Sequence, residues 1–565
     1  MLELIILIGV VIALAWPLGK YLAQVMTYQP MKSDVLFSWI EKPIYKILGI
    51  QPYQQMNLRH YVSAFLISCS VLFVLSMSIF MTQAGLPLNP DHAPNMSWDL
   101  ALHTSISFLT NTNQQHYSGQ AQLSYFSQMT AIVGLQVITP IMGLALAVAT
   151  LRAFFLQEKR NENLTSNSIQ LGNYWADMVR PTVRFLMPLC LIWSLLLNWQ
   201  GVPATFQGGP EVQVLDHSVE KQIQKIPLGP VAPMVAIKQL GSNGGGWYGP
   251  NSSVPLENPT PFSNFLEMLA ILLIPVSLIF MVGYFTKRRR LAVFVFGTML
   301  LMSVISATAA IWSESLSATA HQITLMEGKE QRFGAASSAL WAALTTQVNN
   351  GSVNMMHDSS APLTGLIALS NMLINAIWGG IGCGLQQFMV YLLLTVFIAG
   401  LMTGRTPELF GRKIEAAEIK LLAILILLQP MVILIFTAIT LTNPAISGIS
   451  NVGAHGISQV FYEYVSAFAN NGSGFEGLGD NTIWWNLSCS IVLLLGRFPA
   501  LIIPLMIAVR LAQKRQAPET SGSLKVETPT FSLTLIAIVI TLTLLQFMPI
   551  LVLGPIADYL SMQLG

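Results

Sequence analysis

Ten stretches of this chain are apolar over enough length to cross a lipid bilayer, and no other feature constrains the fold as much. A helix crossing the hydrocarbon core needs about 20 such residues. The candidates are Leu4–Met26, Val62–Met81, Met129–Leu151, Val183–Trp199, Phe265–Phe285, Leu291–Ile311, Leu363–Met402, Leu421–Leu441, Trp484–Val509 and Phe531–Leu553. Only 10% of the 565 residues are charged, against roughly 25% in a soluble protein. The expected fold is an all-α integral membrane protein with ten transmembrane helices. The N-terminus carries Glu3 and lacks a basic leader and a small-residue cleavage site, so Leu4 onward is read as a retained first span.

The positive charges set the orientation. With the N-terminus outside, inner segments hold Lys20, Lys32, Lys42, Lys46 and Arg59; Arg152, Lys159, Arg160, Arg180 and Arg184; and Lys287, Arg288, Arg289 and Arg290. They also hold Arg405, Arg412, Lys413 and Lys420, and finally Arg510, Lys514, Arg515 and Lys525. That is 22 of the 28 lysines and arginines. Lys221, Lys225, Lys238, Lys329 and Arg332 fall outside, and Arg497 falls within a span. Both termini are therefore expected outside. Ala517–Pro529 reads as a polar inner linker.

Four polar loops lie between these spans. Asn-Asn-Gly-Ser occurs at Asn349–Ser352 and again at Asn470–Ser473. Weaker versions are Leu240–Gly246 (L-G-S-N-G-G-G) and Thr110–Asn113 (T-N-T-N). Each follows a short segment of helical character: Trp98–Leu109, Pro233–Leu240, Ala335–Leu344 and Gly456–Phe468. None of these can span, so each is expected to enter from outside and stop mid-membrane. Irregular backbone at that depth is tolerated only when buried in protein or lining a watery cavity. The pattern predicts four pseudo-fourfold repeats of helix, pore loop and helix, with one extra helix at each end. The repeats are residues 60–152 (pore loop 98–115), 180–286 (233–246), 290–403 (335–353) and 420–510 (456–475); the flanking helices are 1–26 and 530–553.

As one helix, Leu363–Met402 would run about 60 Å, twice the hydrocarbon thickness. Gly379, Gly380, Gly382 and Gly384 interrupt it. Glycine admits unusual backbone angles, so a broken helix with a mobile segment at Gly379–Gly384 is expected; close helix packing through small residues is the alternative.

The loop compositions suit a dehydrated alkali cation. Backbone carbonyls replace its water shell without net charge, and aiming successive carbonyls inward requires rare φ values that Gly and Asn accept. Each short helix would also turn its partially negative C-terminus toward the shared axis. No Asp or Glu lies near the Asn-Gly cores, which favours a monovalent over a divalent ion. Asn350-Gly351-Ser352 and Asn471-Gly472-Ser473 also read as glycosylation sequons on surface loops. Arg497, in L-L-L-G-R-F-P midway through the ninth span, is either a cavity-facing charge or a structural arginine holding helix-end carbonyls. No phosphate-binding loop, aspartyl-phosphorylation motif or H-E-x-x-H occurs. The eight histidines are not expected to cluster, and Cys69, Cys190, Cys383 and Cys489 read as buried small residues.

These residues carry a resemblance over essentially the whole chain. T-N-T-N with Y-S-G (Thr110–Gly119), L-G-S-N-G-G-G with E-N-P-T (Leu240–Thr260) and G-S-V-N-M-M-H-D-S (Gly351–Ser359) contribute to it. So do G-G-I-G-C-G (Gly379–Gly384), F-I-A-G-L-M-T-G-R-T-P-E (Phe397–Glu408), N-N-G-S-G-F (Asn470–Phe475) and G-R-F-P (Gly496–Pro499). The chain resembles the family of potassium-binding A subunits of the Kdp potassium-transporting ATPase. The resemblance implies a filter at Asn111, Thr112, Asn113, Ser242, Asn243, Gly244, Asn349, Asn350, Gly351, Asn470, Asn471 and Gly472. It implies an intramembrane gate at Gly379, Gly380, Gly382 and Gly384, with Arg497 below the filter. Gln114, Ser242 and Asn350 depart from the family pattern, which commonly has Trp, Thr and a smaller residue there.

The function expected is that of the ion-selecting subunit of an ATP-driven potassium uptake system in a bacterial cytoplasmic (inner) membrane. Potassium is the transported ion and no organic cofactor is expected. The chain is not an enzyme by itself; its partners would be a P-type ATPase catalytic subunit, small accessory membrane subunits and lipids, with no nucleic acid. A Trk/Ktr-like potassium channel or symporter subunit is the first alternative. An intramembrane enzyme using the Asn/Ser loops and His357-Asp358 is the second.

Overall fold

The computed structural model describes residues 1–155, 169–215, 223–316, 326, 328–518 and 524–564. Lys159, Arg160, Lys221 and residues 519–523 of the inner linker lie outside the described residues. Among the described residues ten helices are long and apolar enough to cross a membrane: Leu2–Met26, Leu58–Gly85, Tyr125–Phe155, Tyr174–Trp199, Pro261–Phe285, Arg289–Ser315, Cys383–Met402, Ala416–Leu441, Ile483–Gln513 and Pro529–Met562. They correspond one for one to the apolar stretches, and are called spans one to ten below.

Local chemistry starts them. Thr260, Thr482 and Thr528 accept hydrogen bonds from the third backbone amide of spans five, nine and ten, and Pro261 and Pro529 open two of those helices. Pro17, Pro140, Pro275 and Pro430 lie inside spans; the Ile426 carbonyl that Pro430 frees accepts from Gln546 Nε2 of span ten at 3.2 Å. Spans three and five are the most enclosed, and spans one, two and ten are largely open to the surroundings. Span one packs on span five through Gly19, where a Cβ would stand 2.5 Å from the Ser277 carbonyl oxygen. Close approach through small residues is how helices gain contact in lipid.

Basic residues read as topological signals also make ion pairs at one end of the bundle. Arg152 binds Asp177 at 2.5 and 2.8 Å. Arg184 binds Glu41 at 2.5 and 2.7 Å and also Asp34, on an additional helix, Asp34–Ile47. The opposite end holds the starts of the short helices and both termini: Glu3 accepts from Ser337 Oγ at 3.2 Å, and Asp558 meets His455 at 2.9 Å. Two brief antiparallel ladders, Glu211–Gln213 with Ile223–Lys225 and Glu408–Leu409 with Arg412–Lys413, lie in connections.

The four short helices form where the sequence requires them: Trp98–Leu109, Val231–Leu240, Ala335–Val348 and Ala454–Ala469. The oversized seventh stretch is divided into Pro362–Ile374 and Cys383–Met402. Its break begins earlier than the glycines alone suggest, at Asn375, whose φ is +51°, and Gly384 is already helical.

Candidate functional site

Each short helix ends by turning its backbone left-handed at the same position. Asn111, Ser242, Asn349 and Asn470 have φ of +61°, +52°, +56° and +57°. Two residues later Asn113, Gly244, Gly351 and Gly472 have φ of +57°, +82°, +89° and +100°. Between them the amides of Thr112, Asn243, Asn350 and Asn471 donate back to the carbonyls of Ser107, Lys238, Thr345 and Ser466 at 3.0, 3.0, 2.9 and 2.9 Å. Ordinary side chains avoid the left-handed region and Asn and Gly accept it. That is the physical reason for the Asn-Gly compositions. A backbone that alternates left-handed and ordinary φ points successive carbonyls the same way, as a carbonyl ring for a cation requires.

The loops close on one another. A Cβ on Gly244 would collide with the Asn350 carbonyl oxygen, one on Gly351 with that of Asn471, and one on Gly472 with that of Thr112. Loops one and two meet where Asn111 Nδ2 donates to the Ser242 carbonyl at 3.1 Å. All twelve predicted filter residues therefore come together. Their side chains do not all face the centre. Asn350 Nδ2 donates to the Lys238 carbonyl at 2.9 Å, and Asn471 Nδ2 to the Thr345 carbonyl at 3.0 Å. The Oδ1 atoms of the same two residues accept from the amides of Ser352 and Ser473, both at 2.9 Å. These asparagines tie each loop to the preceding short helix, so only their backbone is free for an ion. Both are fully buried, which overturns the sequon reading.

The break in the seventh stretch lies against this ring. Gly379 and Trp378 amides donate to the Gln347 carbonyl at 2.9 and 3.2 Å, and Asn349 Nδ2 donates to Asn375 Oδ1 at 2.5 Å. Gly379 and Gly382 have φ of +63° and +83°. A Cβ on Gly382 would strike the Gly143 carbonyl of span three. Arg497 is buried and donates through Nη1 to Cys383 Sγ at 2.8 Å. Its Nη2 lies 3.3 Å from where a Cβ of Gly143 would stand. It touches the break and span three rather than pinning helix-end carbonyls.

Above the ring opens a mouth of about 520 Å³, lined by Asn113, Gln114, Gly244, Gly351 and Gly472, and also by Glu463, Glu476 and Asp480. Glu463 lies on the fourth short helix, and Glu476 and Asp480 follow its loop, so acidic groups do stand near the fourth Asn-Gly core, against the sequence expectation. A charged residue inside the short apolar helix, as Glu463 is, was the available signal. Lys238 was missed too. It stands where the equivalent helix ends carry Ser107, Thr345 and Ser466. Its buried ammonium binds Glu257, Asn251 Oδ1 (2.7 Å) and Ser252 Oγ (2.5 Å), with Glu267 at 4.0 Å. Asn251 Nδ2 in turn holds the Gly244 carbonyl at 2.6 Å.

His357 is a buried prop. Its Nδ1 pairs with Tyr462 OH at 2.8 Å, and that hydroxyl meets Ser473 Oγ at 2.8 Å. Burial pushes its imidazole down to about 4, so it is neutral at physiological pH. Asp358 bonds instead to His455 and Gln459, each at 2.9 Å. The His357-Asp358 pair therefore has no catalytic geometry.

Comparisons with known proteins identify relatives of this chain. A family model described as the potassium-transporting ATPase A subunit matches residues 5–560. A potassium-transporting ATPase potassium-binding subunit of Gloeobacter violaceus is 41% identical, covering 99% of this chain and 98% of that protein. The subunit of the same description from Pseudomonas putida is 42% identical, covering 96% of each. Among solved structures, the potassium transporter TrkH from Vibrio parahaemolyticus superposes with a TM-score of 0.53 at 13% identity, over 87% of this chain and 97% of that one. That last likeness concerns the fold alone.

Proposed function

The chain belongs to the family of potassium-transporting ATPase A subunits, and from that premise we propose how it handles its ion. It is a multi-pass membrane protein and the potassium-binding, non-catalytic subunit of a potassium-transporting ATPase; ATP hydrolysis lies in a partner subunit. In our reading the four loops are the filter. Potassium enters the mouth from outside and exchanges its water for carbonyls of the residues from Asn111 to Asn113, Ser242 to Gly244, Asn349 to Gly351 and Asn470 to Gly472. Beneath them the break from Asn375 to Gly382 acts as the gate, and the Arg497 charge beside it hastens departure of the ion.

The units 60–152, 180–286, 290–403 and 420–510 are the repeats of this machine, with 1–26 and 530–553 outside them. Both termini face outward in the bacterial inner membrane. The hydrolysing partner is a P-type ATPase subunit, accompanied by small accessory membrane subunits and lipids. One observation carries the reading: at three junctions a glycine of one loop lies so close to a carbonyl of the next that no Cβ fits. Selection by backbone atoms alone demands such packing.

Co-purification of the tagged chain tests the assembly. A P-type ATPase subunit should accompany it, and ATP hydrolysis by the complex should rise with potassium. A chain that purifies alone and conducts potassium in liposomes without ATP would favour the Trk-like alternative instead.

A further inference from the structure

Behind the first and fourth loops lies a cluster outside the twelve filter residues. The rings of His103 and His116 stack at 3.7 Å, contrary to the sequence expectation that the histidines do not cluster. Asn486 Nδ2 donates to Asp99 Oδ2 at 2.8 Å, which fixes its amide so that Oδ1 faces His116. His116 Nδ1 stands 2.8 Å from that oxygen and must therefore carry the hydrogen. In the neutral ring this leaves a lone pair on Nε2, which has no hydrogen-bond partner and lies 3.5 Å from Glu463 Oε1. Two electron-rich atoms thus face each other in a site where His116 and Glu463 are each 1% exposed. The Cys489 thiol, fully buried, completes the group: the three ligand atoms lie within 4.8 Å of one another. His116 and Glu463 also line the mouth, which gives a path in.

We propose that His116 Nε2, a Glu463 carboxylate oxygen and Cys489 Sγ form a binding site for a zinc-like divalent metal. Imidazole, carboxylate and thiolate are the usual ligands of such an ion. Bonds of about 2.0–2.3 Å in a tetrahedral arrangement set ligand atoms roughly 3.3–3.8 Å apart, so small side-chain movements complete the site. On binding, the Cys489 S–H gives its proton to water as the sulfur–metal bond forms, and a water takes the fourth position. The amide of Asn486, outside the ligand set, orients the imidazole. Glu463 also accepts a hydrogen bond from Gln114 Nε2. A metal that draws on this carboxylate therefore competes with a tether of the first loop, and occupancy raises the potassium concentration that the filter needs. The rival occupant is a proton on Nε2, which would satisfy Glu463 without any metal.

Cobalt(II) titration of the chelator-treated, purified complex distinguishes them, because thiolate-bound cobalt absorbs in the near ultraviolet by charge transfer. We expect the wild type to show one equivalent of this band, which Cys489→Ser removes and Cys190→Ser leaves intact. His116→Gln keeps the thiol and should weaken cobalt binding at least tenfold, so it carries the test should Cys489→Ser fail to assemble. The proposal is overturned by a wild type without the band, by a band undiminished in Cys489→Ser, or by unchanged cobalt affinity in His116→Gln.

Discussion

The side-chain amide of Asn471 donates to the carbonyl oxygen of Thr345 at 3.0 Å, tying the fourth loop to the last turn of the third short helix. Asn350 makes the same bond one junction earlier, to Lys238. Both carbonyls also accept backbone amides, but alanine at either position removes the Oδ1 that accepts from the buried Ser473 or Ser352 amide, and stranding that amide costs about 1–3 kcal/mol. Asn471→Ala and Asn350→Ala should each lower the melting temperature of the complex and weaken potassium stimulation of ATP hydrolysis. Asn471→Ala with unchanged melting and unchanged potassium response would remove the tether from the account.

Lys238 has no exposed surface and sits among Glu257, Glu267, Asn251 and Ser252. Deleting one partner of a buried ion pair strands the other, typically at about 3–5 kcal/mol. Lys238→Met should therefore destabilise the complex strongly, and adding Glu257→Gln should restore much of the loss. Thermal denaturation of the two single variants and the double variant gives the coupling directly. Additive losses would mean that the pair is not a unit.

How much of this was legible follows from range. Spans and short helices were readable because apolar length and helix period are local, and the left-handed positions because Asn and Gly advertise them. Ser242 was found only through its neighbours in the motif, since serine carries no such preference. The seventh stretch was expected to break at its glycines, yet the break starts at Asn375, held by Asn349 from another helix. Likewise Gln114 meets Glu463 across 349 positions of sequence. Contacts of that kind exist only once the four short helices and their loops have come together, and no local pattern encodes them.

His455 donates from both ring nitrogens, to Asp358 and Asp558 at 2.9 Å each, which requires the imidazolium. Those hydrogen bonds, that to Asp358 foremost, raise its pKa to about 9. A raised histidine contributes stability that is complete below its unfolded value near 6.5 and is lost as pH climbs through the folded value. The melting-temperature gap between wild type and His455→Gln should thus be widest near pH 6 and close above about pH 9. A gap independent of pH would contradict the charged bridge.

Arg497 contacts Cys383 and lies beside Gly143, and in the proposed function it lies below the filter. At 8–10 Å from a bound potassium its charge would oppose binding by about 2 kcal/mol in an effective dielectric near 20. Arg497→Gln should leave apparent potassium affinity equal or tighter while slowing turnover. Lower stability with unchanged affinity and turnover per folded molecule would make the arginine structural.

The most direct test is a potassium, rubidium and sodium titration of ATP hydrolysis by the purified complex, comparing wild type with Gly472→Ala, Gly351→Ala, Gly244→Ala and Gly472→Asp. A Cβ at each glycine meets the next loop's carbonyl and opposes a positive φ. Each variant should raise the potassium concentration for half-maximal stimulation at least tenfold, about 1.4 kcal/mol, and narrow the preference over rubidium and sodium. Unchanged potassium response and ion preference in all of them would contradict the claim that these four loops select the ion.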